Sequence, residues 1–360
     1  MSQAPQQTAP RIKVALIGYG FVGKTFHAPL ISAIEGLELI IIASSDSEKV
    51  HRDYPAVEVI ADPETAITHP EVDLVVIASP NATHAPLAKL ALLANKHVVV
   101  DKPFTLDLAE ARELIAIAGQ QQRLLSVFHN RRWDSDFLAI KTQLQAGKIG
   151  NIAQFESHMD RFRPQVRDRW REKAQPGSGL WFDIGPHLID QTLQLFGLPD
   201  SVEGNICLLR EGAQIDDWAH VIMNYPQHRV ILHCSMLAAG GSLRFVAHGT
   251  EGSLVKARID QQEAQLAAGV RPGDAIWGQD DDPVVYYCPE GKAQSLATPA
   301  GDQSRYYQGI ADALRQGAPN PVSGIEALAV MAVMEAAVVA SQSGQRQLIA
   351  LTEQEIAQLR

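Results

Sequence analysis

The segment KVALIGYGFVGKTFH, residues 13–27, places Gly18-x-Gly20-x-x-Gly23 between a β-branched apolar run and a helical stretch that reaches about Ile34. Few backbones satisfy all three glycines. Gly18 permits a tight turn out of a strand, Gly20 lets the backbone come close to a pyrophosphate, and Gly23 lets the following helix pack closely. The start of that helix presents its free N–H groups to the phosphates. A generic glycine-rich turn has the same letters, but the strand before and the helix after point to a dinucleotide-binding turn.

From Arg11 onward the runs KVALIGYG, LELIIIASS, DLVVIASPN, KHVVVDKPF and RLLSVFHN are separated by helical or short segments. Strands joined through helices imply right-handed crossovers and a parallel sheet, and runs without polar alternation fit strands covered on both faces. After about His129 the rhythm changes. NIAQFESHMDRF, AHVIMNYP, RVILHCSML and LRFVAHGTEGSLVKA alternate more and are joined by short turns, which predicts an antiparallel sheet. Ala268 to Gly301 reads as loops around a brief strand, and GIEALAVMAVMEAAVVASQ as an amphipathic helix with a wide apolar face. The fold class is therefore α/β in the first part, with an α+β part behind it. The expected division is a disordered tail at 1–10, a dinucleotide-binding domain at 11–129, and a substrate-binding and oligomerisation domain at 130–360.

The 41 acidic against 31 basic residues, a net charge of -10, oppose the phosphate attraction on which non-specific nucleic-acid binding relies. Nucleic acid is not an expected partner. Cys207, Cys234 and Cys288 are far apart and outside any CxxC spacing, so neither a disulfide framework nor a zinc knuckle is indicated and a reducing cytoplasm fits. No basic-then-apolar leader opens the chain, and no apolar run is read as approaching the ~18 residues of a membrane span.

The end of the second strand tests cofactor choice. In LIIIASSDSEK, Ser44 occupies the position where an NAD enzyme carries an acid for the ribose 2′-hydroxyl, with Ser45 beside it and Asp46 two residues late. Two hydroxyls accept a 2′-phosphate that a carboxylate would repel, with Lys49 or Arg52 adding charge. NADP is expected, and NAD stays open through Asp46.

Three further stretches, ASPNATH (78–84), VVVDKPF (98–104) and FDIGPHLID (182–190), follow the phosphate turn in order. Together the four motifs resemble the Gfo/Idh/MocA oxidoreductase family over nearly the whole chain from Arg11. VFHNRRWDSDF and RFRPQVRDRWRE further resemble a subgroup with NADP-dependent scyllo-inositol dehydrogenases. The resemblance implies a Rossmann domain followed by an open, mostly antiparallel sheet, with the active site between them. It implies cofactor contacts from Gly18, Tyr19, Gly20, Phe21, Val22 and Gly23, from Ser44 and Ser45, and from Ser79, Pro80, Asn81, His84 and Lys102. It also makes Lys102, Asp183 and His187 the catalytic group. Asp101 stands where the family usually has Glu, which keeps the charge and changes the reach.

At about 100° per residue, Asp183, His187, Asp190, Gln191 and Gln194 share one helical stripe, which alone reads as an ordinary solvated face. No third ligand accompanies Asp183 and His187, so no metal is expected. Pro186 belongs in a first helical turn, which puts the helix start near Ile184 and makes Asp183 an N-cap. His187, near that positive helix end, would be a neutral imidazole able to take a hydroxyl proton. In this reading Lys102 stabilises the developing oxyanion and Asp183 orients substrate and His187.

Arg161 to Lys173 holds six basic residues, either a solvated loop or a wall of the substrate pocket. Asn130, Arg131, His158, Asp160, Arg161, Arg163, Trp170 and Tyr306 are the further substrate-side candidates, and His27 reads as packing. The expected function is hydride transfer between a nicotinamide cofactor and a polyol or sugar carbinol, with a scyllo-inositol-like substrate favoured. An aldose or deoxysugar oxidoreductase shares every residue named, and a dinucleotide sensor without turnover is the reading from another class. An exposed sheet face calls for a homodimer or homotetramer.

Overall fold

The computed structural model describes residues 10–359, so the expected tail lies, except for Pro10, outside the described residues. Strands β1 (Ile12–Ile17), β2 (Leu37–Ala43), β3 (Glu58–Ile60), β4 (Leu74–Ile77), β5 (His97–Val100) and β6 (Leu125–Val127) form a parallel sheet in the order β3-β2-β1-β4-β5-β6. The order turns back between β1 and β4, and the crevice outside the carboxyl ends of such strands is where open α/β sheets bind ligands. A π-helical turn at Gly23–His27 leads into α1 (Ala28–Ser32). Helices α2 (Ser47–Asp53), α3 (Pro63–Thr68), α4 (His84–Leu93) and α5 (Leu108–Gln121) complete this half. Asp46, Asp62 and Asp107 cap α2, α3 and α5 by accepting backbone N–H groups, as short acidic side chains do at helix starts.

Beyond α6 (Ser135–Gln145) lie β7 (Ile152–His158), α7 (Leu180–Phe196), β8 (Ser201–Cys207), β9 (Trp218–Asn224), β10 (Arg229–Ser235), β11 (Phe245–Gly249) and β12 (Gly252–Lys256). They are followed by α8 (Gln262–Ala267), β13 (Val284–Tyr287), β14 (Ala293–Leu296), α9 (Ser304–Gln316), α10 (Gly324–Ser343) and α11 (Glu353–Gln358). The second sheet runs β14-β13-β12-β11-β7-β10-β9-β8 and is antiparallel except where β10 pairs parallel with β7. The single strand expected between Ala268 and Gly301 is a hairpin of two. Along β7, Phe155 and Ser157 are buried on the helix-covered face, whereas Glu156 and His158 point to the opposite, half-covered face.

The expectation about apolar runs needs correction. Helix α10 spans 20 residues with mean hydropathy 1.8, enough by length and composition to cross a membrane, but 67% of that stretch is buried inside the protein. It is apolar nearly all round rather than on one face because it lies between β8, α7 and α5, as a helix in the centre of a fold does. Ser323 and Glu326 form a capping box at its start, and Glu335 accepts the N–H of Leu108 at 2.9 Å.

The two sheets are joined by the C-terminal half folding back. The segment around Asn320 to Ser323 lies along β6 at the edge of the first sheet: Asn320 donates to the Leu125 carbonyl and the Ser126 hydroxyl to that of Val322, both at 2.8 Å. On α9, Tyr306 and Tyr307 pack edge-on or tilted against Phe128, with Trp133 and His27 at the rim.

Candidate active site

The glycine turn has the shape a dinucleotide requires. Gly18 has φ +102°, and a Cβ there would lie 2.7 Å from the Ala78 carbonyl oxygen. A Cβ on Gly23 would strike the Gly18 carbonyl, whereas one on Gly20 would meet no protein atom within 4 Å. Gly18 and Gly23 are thus committed to the turn and its packing, and open space lies against Gly20, where a pyrophosphate needs backbone at close range. Phe21 and Val22 line the adjoining cleft. Tyr19 is turned away instead, donating its hydroxyl to Asp53 at 2.8 Å. Lys49 fixes the Tyr19 carbonyl at 2.9 Å.

The cleft, about 300 Å³ in volume, lies between this turn, the ends of β5 and β6, α7 and the loop from Arg161 to Arg171. Lys102, Asp183 and His187 all line it, Lys102 coming from 81 residues before Asp183. Lys102 follows β5 directly. Its Nζ donates to the Asp183 carbonyl at 2.8 Å and lies 3.2 Å from the Asp183 carboxylate. Asp101 beside it is buried, with Oδ1 3.6 Å from His27 Nε2. His27 Nδ1 meets the Tyr307 hydroxyl at 2.5 Å, so His27 packs, and it also links α9 to the acid beside the lysine.

Helix α7 begins earlier than Pro186 suggested. It starts at Leu180, so Pro186 sits in its second turn and Asp183 is not the cap. Asp216, from the loop before β9, does the capping: its carboxylate accepts the Trp181 N–H at 2.6 Å and its carbonyl the Leu180 N–H at 2.9 Å. A distant acid thus replaces the local one the sequence offered. Burial pushes the Asp216 carboxyl up to about 6, against the opposing pull of the Trp181 N–H. Gly185 lets the helix close over Trp181, since a Cβ there would lie 2.9 Å from the indole.

His187 is consequently not held neutral by a helix start. Burial, reinforced by the cations of Lys102 and Arg131, keeps its pKa well below the ordinary value, and its Nδ1 has no hydrogen-bond partner among the described residues. Burial alone would raise the Asp183 carboxyl, but Lys102, Arg161 and Arg171 together outweigh it and hold the group ionised. Asp183 therefore faces cations and makes no hydrogen bond to His187. In the rest of the stripe Asp190 and Gln191 are buried rather than solvated, and Gln194 is half-buried. Asp190 takes a forked pair of bonds from Arg132 at 2.7 and 3.0 Å, and Gln191 joins Arg244 to the Arg131 carbonyl.

Of the substrate-side candidates, Asn130, Arg131, Arg161 and Arg163 line the cleft, joined by Arg167, Arg169 and Arg171. His158 and Asp160 do not. Strand alternation turns His158 to the half-covered face of the second sheet, where it bonds Glu156 at 3.0 Å, and Asp160 holds the Ser242 hydroxyl at 2.5 Å. Trp170 lies outside the cleft with Arg171 stacked over it. Tyr306 is fully buried and bonded to Ser126 at 2.7 Å, as befits the inner face of α9.

Among the cofactor candidates, Asn81 donates to the Gly177 carbonyl at 2.7 Å. Ser79 pairs its hydroxyl with that of Thr83, and the Pro80 carbonyl accepts from Thr83. His84 lies buried between the carbonyls of Pro103 and Ser79. Ser44 and Ser45 follow β2 directly with no carboxylate in their place, and Ser44 Oγ accepts the Asp46 N–H at 3.1 Å. The Asp46 carboxylate accepts the Lys49 N–H at 2.9 Å. Glu263, which bonds Arg131 at 2.8 Å, lines the cleft without having been foreseen, because nothing in QEAQLA marks it. Among the described residues no trio of His, Cys, Asp or Glu converges as a metal site would.

A parallel sheet in this order, a glycine turn and a Lys, Asp, His cleft define a nicotinamide-dependent oxidoreductase fold. The chain belongs to the Gfo/Idh/MocA oxidoreductase family: residues 12–129 match its NAD-binding Rossmann fold and residues 141–350 its C-terminal alpha/beta domain. It is 53% identical over 327 residues to the uncharacterized oxidoreductase YdgJ of Escherichia coli (strain K12), covering 90% of this chain and 94% of that one. It is 36% identical to the scyllo-inositol 2-dehydrogenase (NADP(+)) IolW of Bacillus subtilis (strain 168), covering 92% and 94%. A crystal structure from Klebsiella pneumoniae superposes with a TM-score of 0.93 at 63% identity, over 98% of this chain and 99% of that one.

Proposed function

We propose that this oxidoreductase is an NADP-dependent dehydrogenase acting on a carbinol of a polyol or sugar. The observation that carries the reading is the meeting of Lys102, Asp183 and His187 in one cleft beside the glycine turn. When bound, the nicotinamide cofactor accepts or supplies the hydride. Gly18 to Gly23, Ser44, Asn81 and Lys102 are the residues that would hold it.

His187, buried and neutral, takes the proton of the substrate hydroxyl as the carbinol is oxidised. Lys102 offers its N–H donors to the same oxygen, where negative charge grows, and so acts mostly in the transition state. Asp183 holds the Lys102 ammonium in place through its carbonyl and its carboxylate. In reduction His187 returns the proton. Preference for NADP is supported by the serines following β2 and by Asp46, whose carboxylate is occupied in capping α2.

The similarity to scyllo-inositol 2-dehydrogenase supports a cyclic polyol frame. The half-covered face of the second sheet, carrying Trp218, His220 and Ile222, is the surface through which copies are expected to pair, a point light scattering decides. The function itself is tested by absorbance of the reduced nicotinamide with a panel of inositols and sugars and both cofactors. Absence of cofactor reduction or oxidation with every member, while NADPH binds, would favour a non-catalytic sensor. Ser44→Asp is expected to move the NADP to NAD preference by at least about tenfold toward NAD.

A further inference from the structure

The cleft is electrically unbalanced. Lys102 and six arginines line it against three carboxylates, those of Asp101, Asp183 and Glu263. Lys102, Arg161 and Arg171 share Asp183; Arg131 takes Asp134 and Glu263; Arg169 takes Glu172. Arg163 and Arg167 make no ion pair among the described residues. Arg163 is held below its ordinary pKa by burial and then by the like charges of Arg161, Arg167 and Arg169.

This crowding is built in. Arg161 and Arg163 donate their N–H groups to the carbonyls of Ser235 and Met236 at 2.8 and 2.7 Å, so the segment is extended and both side chains leave on the same side. Beneath it lies a buried guanidinium, that of Arg210, which binds Asp217 at 2.8 Å and Glu172 at 3.1 Å. The same group donates to the backbone carbonyls of Arg163 at 3.1 Å and Gln165 at 3.3 Å, while Glu172 accepts the Arg167 N–H at 3.0 Å. The carboxylates of the loop are thus taken up elsewhere, Glu172 by Arg169, Arg210 and the Arg167 N–H and Asp168 by Lys173, which leaves cationic side chains lining the cleft without a partner of their own. Arg163 is half-buried and Arg167 exposed, and gathering like charges there is unfavourable until an anion joins them. The hydroxyls of a neutral polyol do not need it.

We infer that the substrate carries an oxyanion, a carboxylate or phosphate on the sugar or polyol frame, gripped by Arg163 and Arg167 while Lys102 and His187 address the reacting hydroxyl. This rests on the reading of the cleft as a carbinol dehydrogenase site. Guanidinium forks match both oxyanions, and the diphosphate of the cofactor itself is the other source of the same chemistry.

The test is calorimetric titration of the NADPH-loaded protein with D-gluconate, D-glucose 6-phosphate and myo-inositol, with wild type and the double variant Arg163→Gln, Arg167→Gln. One of the charged probes is expected to bind about 10- to 100-fold more tightly than myo-inositol, a preference lost in the variant while NADPH affinity stays within threefold, since hydrogen bonds between charged groups are worth that much. Equal binding of charged and neutral probes by wild type, or no binding of either charged probe, overturns the inference without reference to any variant. Weakened NADPH binding in the variant with probe binding unchanged overturns it in favour of the cofactor diphosphate. A protein that binds a charged probe but exchanges hydride with no sugar or polyol would leave this inference standing and remove the catalytic reading.

Discussion

Lys102 Nζ donates to the main-chain carbonyl of Asp183 at 2.8 Å and lies 3.2 Å from its side-chain carboxylate, so one cation at the end of β5 is fixed by two oxygens of α7. The first sheet supplies the donor and the second half of the chain aims it. This contact spans the cleft in which the chemistry is proposed.

Removing that cation tests its role. Lys102→Ala is expected to lower turnover at saturating substrate by about 100- to 1,000-fold, the range for loss of one oxyanion donor. Circular dichroism and NADPH binding should stay near wild type. Unchanged turnover would mean that the reacting oxygen is stabilised by another group.

His187→Gln keeps a hydrogen-bonding side chain and cannot take a proton. Oxidation should slow by about 100- to 10,000-fold, the usual contribution of a general base. Because the pKa of His187 lies well below its ordinary value, the acid limb of the wild-type pH-rate profile should fall clearly below pH 6.5, and it should vanish in the variant. A wild-type limb centred at or above 6.5 would point to a different base.

The same shift has a stability consequence. Below about pH 6.5 the unfolded chain's imidazole takes a proton that the folded one refuses, so folded stability is lost as pH falls. Relative to His187→Gln, wild type should lose up to about 1.4 kcal/mol per pH unit between pH 6.5 and 5. Paired urea denaturation curves measure this, and a pH-independent difference would show that His187 is protonated in the folded protein.

Arg132 binds Asp190 through two nitrogens and also reaches Glu326 at 2.8 Å. Arg132→Ala strands the buried carboxylate of Asp190 and frees the partly exposed one of Glu326, and should cost about 3 to 5 kcal/mol, the range for breaking a buried pair from one side. Replacing all three by apolar residues of similar volume should cost much less. A single-variant loss below about 1 kcal/mol by urea denaturation would mean that water reaches the pair.

What the sequence made legible was local. The glycine spacing, the unbroken apolar strands and the order of the motifs gave the first sheet and the lysine at its end, since each depends on neighbours within a few residues. What it hid was long-range. Asp216 caps α7 from beyond β8, and no pattern near Asp183 reveals that the cap position was already taken. The polar stripe of α7 reads as a solvated face because periodicity reports only that one side is polar, not that Arg132 and Arg244 will be buried against it. His158 was misplaced for a different reason: alternation identifies the two faces of a strand but not which of them meets the cleft. Helix α10 shows the converse, a composition fit for lipid explained only by the protein packed around it.

The cluster of Phe128, Tyr306, Tyr307, Trp133 and His27 gives the protein a thermodynamic character. These rings come from both halves of the chain and pack α9 against the segment that leaves the first sheet, and the buried apolar residues of both halves belong to one continuous core. A chain cut after its first sheet would leave Phe128 facing water and the edge of β6 bare, while the remainder would carry Tyr306 and Tyr307 with nothing to rest on. The two sheets, separate in topology and in task, are therefore bound to melt in a single cooperative transition.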